Sequence, residues 1–140
     1  MYNPLKIDVD PAHRLAICRP VEVFGAEHTG QLLKFLIAFE DSNPKPFDRL
    51  LDLSRVTDLQ ISGPVIYEYA RNRRQTTAHL PPFRTAIIAP DPSAEEVALI
   101  YATLMEGSKI QVGIFQDAIA AAEWLHVPEA VTQLEVAKQK

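Results

Sequence analysis

The amino-acid sequence predicts an α/β fold built on a mostly parallel sheet of about five strands, with an N-terminal antiparallel hairpin and about four helices. Three observations support this prediction. Two short apolar stretches near the N-terminus are joined by a tight turn, stretches typical of strands and helices alternate after them, and the strand stretch at 85–89 is continuous in apolar character. Strands separated by helices pair in parallel, and a strand that is apolar throughout is covered on both faces of its sheet.

The chain has the size and composition of one globular domain. It has 140 residues, of which 47% are hydrophobic and 23% are charged, and its formal net charge is −4. That charge disfavours nucleic acids as partners, because binding to phosphate backbones depends on concentrated lysine and arginine. No signal peptide and no apolar run of about 18 residues is visible, so we expect a cytoplasmic protein without an integral membrane segment. We place a single domain at residues 1–128 and a tail, interpreted as a short docking helix, at residues 129–140.

The N-terminal elements follow from alternation and from helical spacing. Residues 5–9 alternate between apolar and polar, and a turn joins this strand to a second one at 14–18. A helix is expected at about 26–41, and prolines end it. Its apolar residues spread beyond one stripe, so either the helix is unusually buried or its outer flank binds a second copy of the chain or an apolar ligand.

The rest of the chain alternates between strands and helices. The expected elements are strands at 49–53, 85–89 and 110–115, a loop at 57–61, and helices at about 62–76, 93–106 and 118–125. Ser93 and Glu96 form a capping box at the third helix, and Asp117 is expected to cap the fourth. Gly107 and Pro128 suit the ends of these two helices.

No residue pattern of an enzyme, a metal site or a cofactor site is visible. The four histidines lack the spacing of metal ligands, and no glycine-rich nucleotide loop or nucleophile elbow is present. We therefore predict no catalytic residue, no metal and no cofactor. Cys18 lies in an apolar stretch and is interpreted as a small buried side chain.

Two charged features have alternative interpretations. Asp52 lies inside an apolar strand, where it is either a pocket acid or a residue that bonds the backbone of the following loop. The arginine group at 71–74 either binds an anion or a lipid headgroup, or places solvated cations near a helix C-terminus.

The segment at 52–63 reads Asp-Leu-Ser at 52–54, then Val56, then Ser-Gly at 62–63 where a helix begins. It resembles the central motif of STAS domains, which occur in sulfate transporters and anti-sigma-factor antagonists. Gln60 takes the place of the motif's acidic residue, and Ile61 aligns with the serine that is phosphorylated in the antagonists. Because isoleucine cannot carry a phosphate, the resemblance implies the STAS fold without the usual phosphoserine switch.

In the C-terminal part, a predicted strand ends in Ile-Phe at 114–115 and is followed by Gln-Asp, an alanine-rich turn and Glu-Trp-Leu at 123–125. This pattern is similar to stand-alone bacterial SpoIIAA-like proteins, a STAS/SEC14-like branch. This branch implies a binding or regulatory protein, and its SEC14-type relatives bind lipids.

Three hypotheses for function follow. The first is a non-enzymatic STAS-like regulatory or binding module that contacts an unknown protein partner through the 57–61 loop and the helix after it. The second is a small carrier or sensor of a lipid or another apolar ligand, and the third is a homodimeric protein with an undetected enzymatic activity. The residues predicted to form the partner or ligand surface are Asp52, Ser54, Asp58, Gln60, Ser62, Gly63, Arg71 and Arg74.

Overall fold

The computed structural model of the protein describes residues 5–43 and 45–132, so that the end of the predicted tail lies outside the described residues. Within these ranges the strands are β1 (Ile7–Asp10), β2 (Leu15–Cys18), β3 (Glu22–Gly25), β4 (Asp48–Asp52), β5 (Val56–Gln60), β6 (Phe83–Ile88) and β7 (Ile110–Phe115). The helices are α1 (Ala26–Ser42), α2 (Gly63–Thr76), α3 (Pro92–Leu104), α4 (Ala118–Leu125) and α5 (Glu129–Thr132). None of these helices has both the length and the apolar character needed to cross a lipid bilayer.

A five-stranded sheet with the order β1-β2-β4-β6-β7 forms the centre of the fold. β1 pairs antiparallel with β2, and the other neighbouring strands pair in parallel. The predicted α/β class, with a mostly parallel sheet and an N-terminal hairpin, is therefore confirmed.

Helices cover both faces of this sheet, and the alternation of side chains along β4 separates the two layers. Leu50 packs with Leu125 of α4 and with Val131 of α5 on one face. Leu51 and Leu53 lie on the other face, where α1, α2 and α3 form the larger part of the core. Because both faces are buried, the central parallel strands carry adjacent apolar residues, such as Leu50 and Leu51 in β4 and Ile87 and Ile88 in β6.

A second sheet has two strands, β3, which follows β2 in the chain, and β5, which follows β4. No local sequence pattern predicted it. β3 pairs in parallel with β5, so the predicted loop at 57–61 is wrong and Val56–Gln60 is a strand. This pair, named here the β3–β5 ribbon, continues the parallel pairing of β2 with β4. Its strands are mostly exposed on one side and are remote from each other in the sequence, which is why the local pattern did not reveal them.

The predicted starts of α2 and α4 are confirmed, whereas α3 begins earlier than predicted. Ser62 and Asp117 accept hydrogen bonds from backbone N–H groups in the first turns of α2 and α4. At α3 the capping box at Ser93 is wrong, because the N-cap is Asp91, whose carboxylate accepts a backbone hydrogen bond at 2.9 Å. Pro92 explains the earlier start, since proline is favoured at the first helical position.

Helix α1 has a wide apolar surface that is only partly covered. Leu32 and Leu36 are buried, while Leu33, Phe35 and Ile37 are half-buried. Its outer flank therefore keeps partly exposed apolar side chains, and contact of this flank with a second copy of the chain or with an apolar ligand stays a prediction.

Gly113 in β7 has no room for a side chain. A Cβ atom there would lie 2.9 Å from the Phe115 ring and 3.0 Å from the Trp124 ring. We expect Gly113→Ala to lower the free energy of unfolding by about 1–3 kcal/mol, because packed rings must shift. The matched control is Gly30→Ala in α1, where a Cβ atom contacts nothing within 4 Å and alanine should add about 0.5–1 kcal/mol. Urea denaturation measures both, and a Gly113→Ala protein as stable as the wild type would contradict this packing.

Candidate functional site

An apolar cavity of about 90 Å³ lies between the sheet and the layer formed by α1, α2 and α3. Cys18 and Ile87 line it from the sheet, and Leu32, Ile66 and Ala98 line it from the three helices in turn. These residues belong to the larger core layer, so a molecule in the cavity is surrounded by apolar side chains.

The β3–β5 ribbon contributes the part of the wall that lies beyond the ends of β2 and β4. Phe24 of β3, Leu59 of β5 and the following Ile61 line the cavity. Ile61, which the sequence resemblance aligns with the phosphorylated serine of STAS antagonists, is a half-buried part of this apolar wall. The apolar character of this position therefore has a structural reason.

Three charged side chains next to the cavity form a buried ion cluster, named here the Glu40 cluster. Glu40 of α1 accepts hydrogen bonds from Arg73 of α2 at 3.1 and 2.6 Å, and from Arg49 of β4 at 2.7 Å. The relative exposures of Glu40, Arg73 and Arg49 are 6%, 1% and 6%. The two-pronged contact between Arg73 and Glu40 is of the strong bidentate type. The cluster thus joins two helices to the sheet, and both arginines line the cavity.

The unfavourable effect of burial on the charge is offset at Arg73 but not at Arg49. Burial is the largest single effect on Arg73 and works against its charge, but the hydrogen bonds to Glu40 and the electrostatic attraction of Tyr69, Glu40 and Tyr101 together raise the pKa. At Arg49 burial prevails and lowers the pKa, despite the hydrogen bond to Glu40. Arg49 also donates to the backbone oxygen of Phe47, and its guanidinium lies 4.4 Å from the centre of the Phe83 ring, which is a cation–π contact. Both arginines remain charged near neutral pH.

Two tyrosines lie in the wall of the cavity. Tyr69 of α2 and Tyr101 of α3 line it, with their ring centres 5.7 Å apart. Burial raises the pKa of Tyr101 to about 12 and also raises the pKa of Tyr69. Both hydroxyls are therefore neutral near pH 7 and can donate hydrogen bonds.

Cys18 is a buried thiol, as the sequence predicted. Burial, together with the nearby Asp52 carboxylate, raises the pKa of Cys18 to about 12. The thiolate is the reactive form of cysteine, so this side chain is a poor nucleophile at neutral pH. Among residues 5–43 and 45–132, no group of three or more His, Cys, Asp or Glu side chains is arranged to hold a metal ion.

The residues predicted to form a partner or ligand surface fall into two groups. Asp52 is buried, and its carboxylate accepts hydrogen bonds from Arg19 and from the backbone N–H of Ser54, both at 2.9 Å. Of the two interpretations of Asp52, the bond to the following loop is therefore the one observed. The exposed group comprises Ser54, Asp58, Gln60, Ser62, Gly63, Arg71 and Arg74.

The arginine group at 71–74 is divided between the interior and the surface. Arg73 belongs to the Glu40 cluster, and the exposed Arg71 pairs with Glu68 at 2.9 Å. Arg74 donates to two backbone oxygens at the C-terminal end of α3, at 3.1 and 3.0 Å. Arg74 therefore links α2 to α3, and its positive charge interacts favourably with the negative end of the α3 dipole.

The Glu40 cluster was not predicted from the sequence, although a signal was present. Arg73 shares a helical face with Ile66 and Ala70, and Glu40 follows Leu36 at a spacing of four residues. Charges of opposite sign on the apolar faces of two helices indicate a buried ion pair, because a lone buried charge is very unfavourable.

These features define a SpoIIAA-like α/β fold. Among solved structures, the chain is similar to an uncharacterised protein of the DUF3478 family with a SpoIIAA-like fold from Shewanella loihica PV-4, with a TM-score of 0.56 and 16% sequence identity. The similarity covers 89% of this chain and 98% of that protein. No protein-family model and no curated protein matches the sequence. At this identity the similarity shows a shared fold, and the predicted SpoIIAA-like fold is confirmed.

Loss of the Glu40 carboxylate would leave two buried cations without their anion. We expect Glu40→Gln to lower the free energy of unfolding by about 3–5 kcal/mol for this reason. The control is Glu68→Gln, which removes the partner of the exposed Arg71 and should change stability little. Urea denaturation of the two variants provides the comparison. Equal stability of the two would show that the Glu40 cluster does not contribute to folding.

Proposed function

We propose that this protein is a non-enzymatic SpoIIAA-like binding module that takes a small apolar ligand into the cavity. The observation that carries the proposal is the cavity of about 90 Å³, whose walls come from the sheet, from α1, α2 and α3, and from the β3–β5 ribbon. Close-packed interiors contain few voids larger than a water molecule. Ligand sites are typically apolar, with a few polar groups that orient the ligand, and the arginines and tyrosines fit that description.

The volume of the cavity sets the size of the ligand. An engineered cavity of about 150 Å³ binds benzene, which has six heavy atoms, so in proportion a cavity of about 90 Å³ accepts an aliphatic group of about four heavy atoms. A long acyl chain does not fit in a cavity of this volume. A short aliphatic group is therefore favoured over a membrane lipid.

The polar groups around the cavity support binding rather than a chemical reaction. Arg49 and Arg73 are engaged with Glu40. The Cys18 thiol keeps its proton at neutral pH. It donates a hydrogen bond to the backbone oxygen of Leu5 at 3.5 Å. A covalent mechanism needs a nucleophile that is activated by a base or by a lowered pKa, and the pKa of Cys18 is raised.

Ala98→Leu tests the proposal by filling the cavity from α3. We expect xenon to shift the methyl NMR signals of Leu32, Ile66 and Ile87 in the wild-type protein, and to leave them unchanged in Ala98→Leu. The control is Ala102→Leu on the same helix. Ala102 lines an outer groove, so this variant should retain xenon binding. A wild-type protein whose methyl signals ignore xenon would refute the proposal.

An exposed surface favours a second proposal, contact with a protein partner. Tyr67 is 60% exposed on the outer side of α2, four residues from both Gly63 and Arg71. Tyrosine and arginine are enriched in protein–protein interfaces. The remaining exposed residues predicted for this surface are Ser54, Asp58, Gln60 and Ser62, which precede Gly63 in the chain, and Arg74, which is bonded to the end of α3.

The double variant Tyr67→Ala, Arg71→Ala tests this second proposal. Both side chains are exposed, so the fold should be unaffected while the partner contact is weakened at least tenfold. Quantitative pull-down from the host measures the loss, with Ala98→Leu as the control that keeps the surface. Capture of no protein by the wild-type chain would contradict this proposal.

The cytoplasmic location, the homodimer and the domain boundary at residue 128 stay predictions.

A further inference from the structure

The Glu40 cluster contains more positive than negative charge. Two arginines face one glutamate, so the buried group has a formal charge of +1. The nearest acidic residues along β4 are committed elsewhere: Asp48 accepts the backbone N–H of Arg84, and Asp52 pairs with Arg19. A buried charge without a counter-ion is unfavourable, because little solvent screens it. The cluster is therefore suited to receive one more negative charge.

Arg49 has the donor that such an anion could use. One terminal nitrogen of its guanidinium donates to Glu40 and the other to the backbone oxygen of Phe47. Its Nε is buried and has no hydrogen-bond partner among the described residues. Buried donors almost always have a partner, and Arg49 is 6% exposed in the wall of the cavity. An acceptor from a bound ligand would satisfy this N–H group.

We infer that the ligand of the cavity is a small carboxylic acid in its ionised form, with its carboxylate on Arg49 and its aliphatic group among the apolar side chains. This inference rests on the proposed function and specifies the class of ligand. One negative charge balances the +1 of the Glu40 cluster, whereas an amine adds a like charge. A phosphate dianion brings an excess of negative charge and no apolar group for the walls.

The tyrosines favour the same class of ligand. Tyr69 and Tyr101 line the cavity beside Arg73 and are kept neutral by burial, so their hydroxyl groups donate rather than repel. A carboxylate has two oxygens that each accept more than one hydrogen bond, and hydrogen bonds to an ionised acceptor are the strong ones.

A series of closely related ligands tests the inference on the wild-type protein. Isobutyrate, isobutyramide and isobutylamine share an isopropyl group, which is within the limit of about four heavy atoms for the aliphatic group, and they differ in charge. We expect isobutyrate to bind at least ten times more tightly than isobutyramide, and isobutylamine not to bind, as measured by titration of the Leu36 and Ile87 methyl NMR signals. Ala98→Leu should lose isobutyrate binding, and Ala102→Leu should retain it.

The possible outcomes separate this inference from the proposed function. If isobutyramide binds as tightly as isobutyrate, the inference is overturned and the apolar site remains. If neither these ligands nor xenon perturb the methyl signals, both proposals fail. If isobutyrate binds equally well to Ala98→Leu, its site is elsewhere and the inference is overturned.

Arg49→Lys provides a second, independent test. Lysine keeps the positive charge but has no Nε–H group and no planar fork, so we expect isobutyrate to bind at least tenfold more weakly. The dispersion of the methyl spectrum reports whether the variant is folded. A folded Arg49→Lys protein with wild-type affinity for isobutyrate would overturn the assignment of the carboxylate to Arg49.

Discussion

The larger helical layer depends on the Glu40 carboxylate and its two arginines. Glu40 lies on α1, Arg49 on β4 and Arg73 on α2, and the distances between their charged atoms are 2.6–3.1 Å. Apolar contacts are not directional and tolerate sliding of one element past another. Buried charges do not tolerate such sliding, because each must keep its hydrogen bonds to offset the several kcal/mol of hydration free energy lost on leaving water. The Glu40 cluster therefore defines how both helices sit on the sheet.

The same cluster fixes one part of the cavity wall. Arg49 is held by Glu40, by Phe47 and by the Phe83 ring, so its guanidinium keeps one position in that wall. Ile61, which the sequence resemblance aligns with the phosphorylated serine of STAS antagonists, also lines the cavity. This position therefore contributes to the interior of the fold.

Local sequence patterns predicted most elements of the fold and few features of the site. The predicted β7 and α4 agree with the structure, because a short stretch rich in apolar residues and an aspartate cap are local signals. The β3–β5 ribbon was missed because each strand depends on a partner that is remote in the sequence. At the site, Cys18 was predicted as buried, but the Glu40 cluster was not predicted at all.

The sequence by itself determined the fold class, the order of the main strands and helices, and the absence of a serine at position 61. These properties depend on periodicity and on residue identity, which are local. The tertiary structure decided that Glu40 meets Arg49 and Arg73, which are 9 and 33 residues away, and that a cavity remains between them and the β3–β5 ribbon. Helical spacing indicates which face of a helix is buried, but only the packing of α1 and α2 on the sheet determines which charges on those faces come into contact.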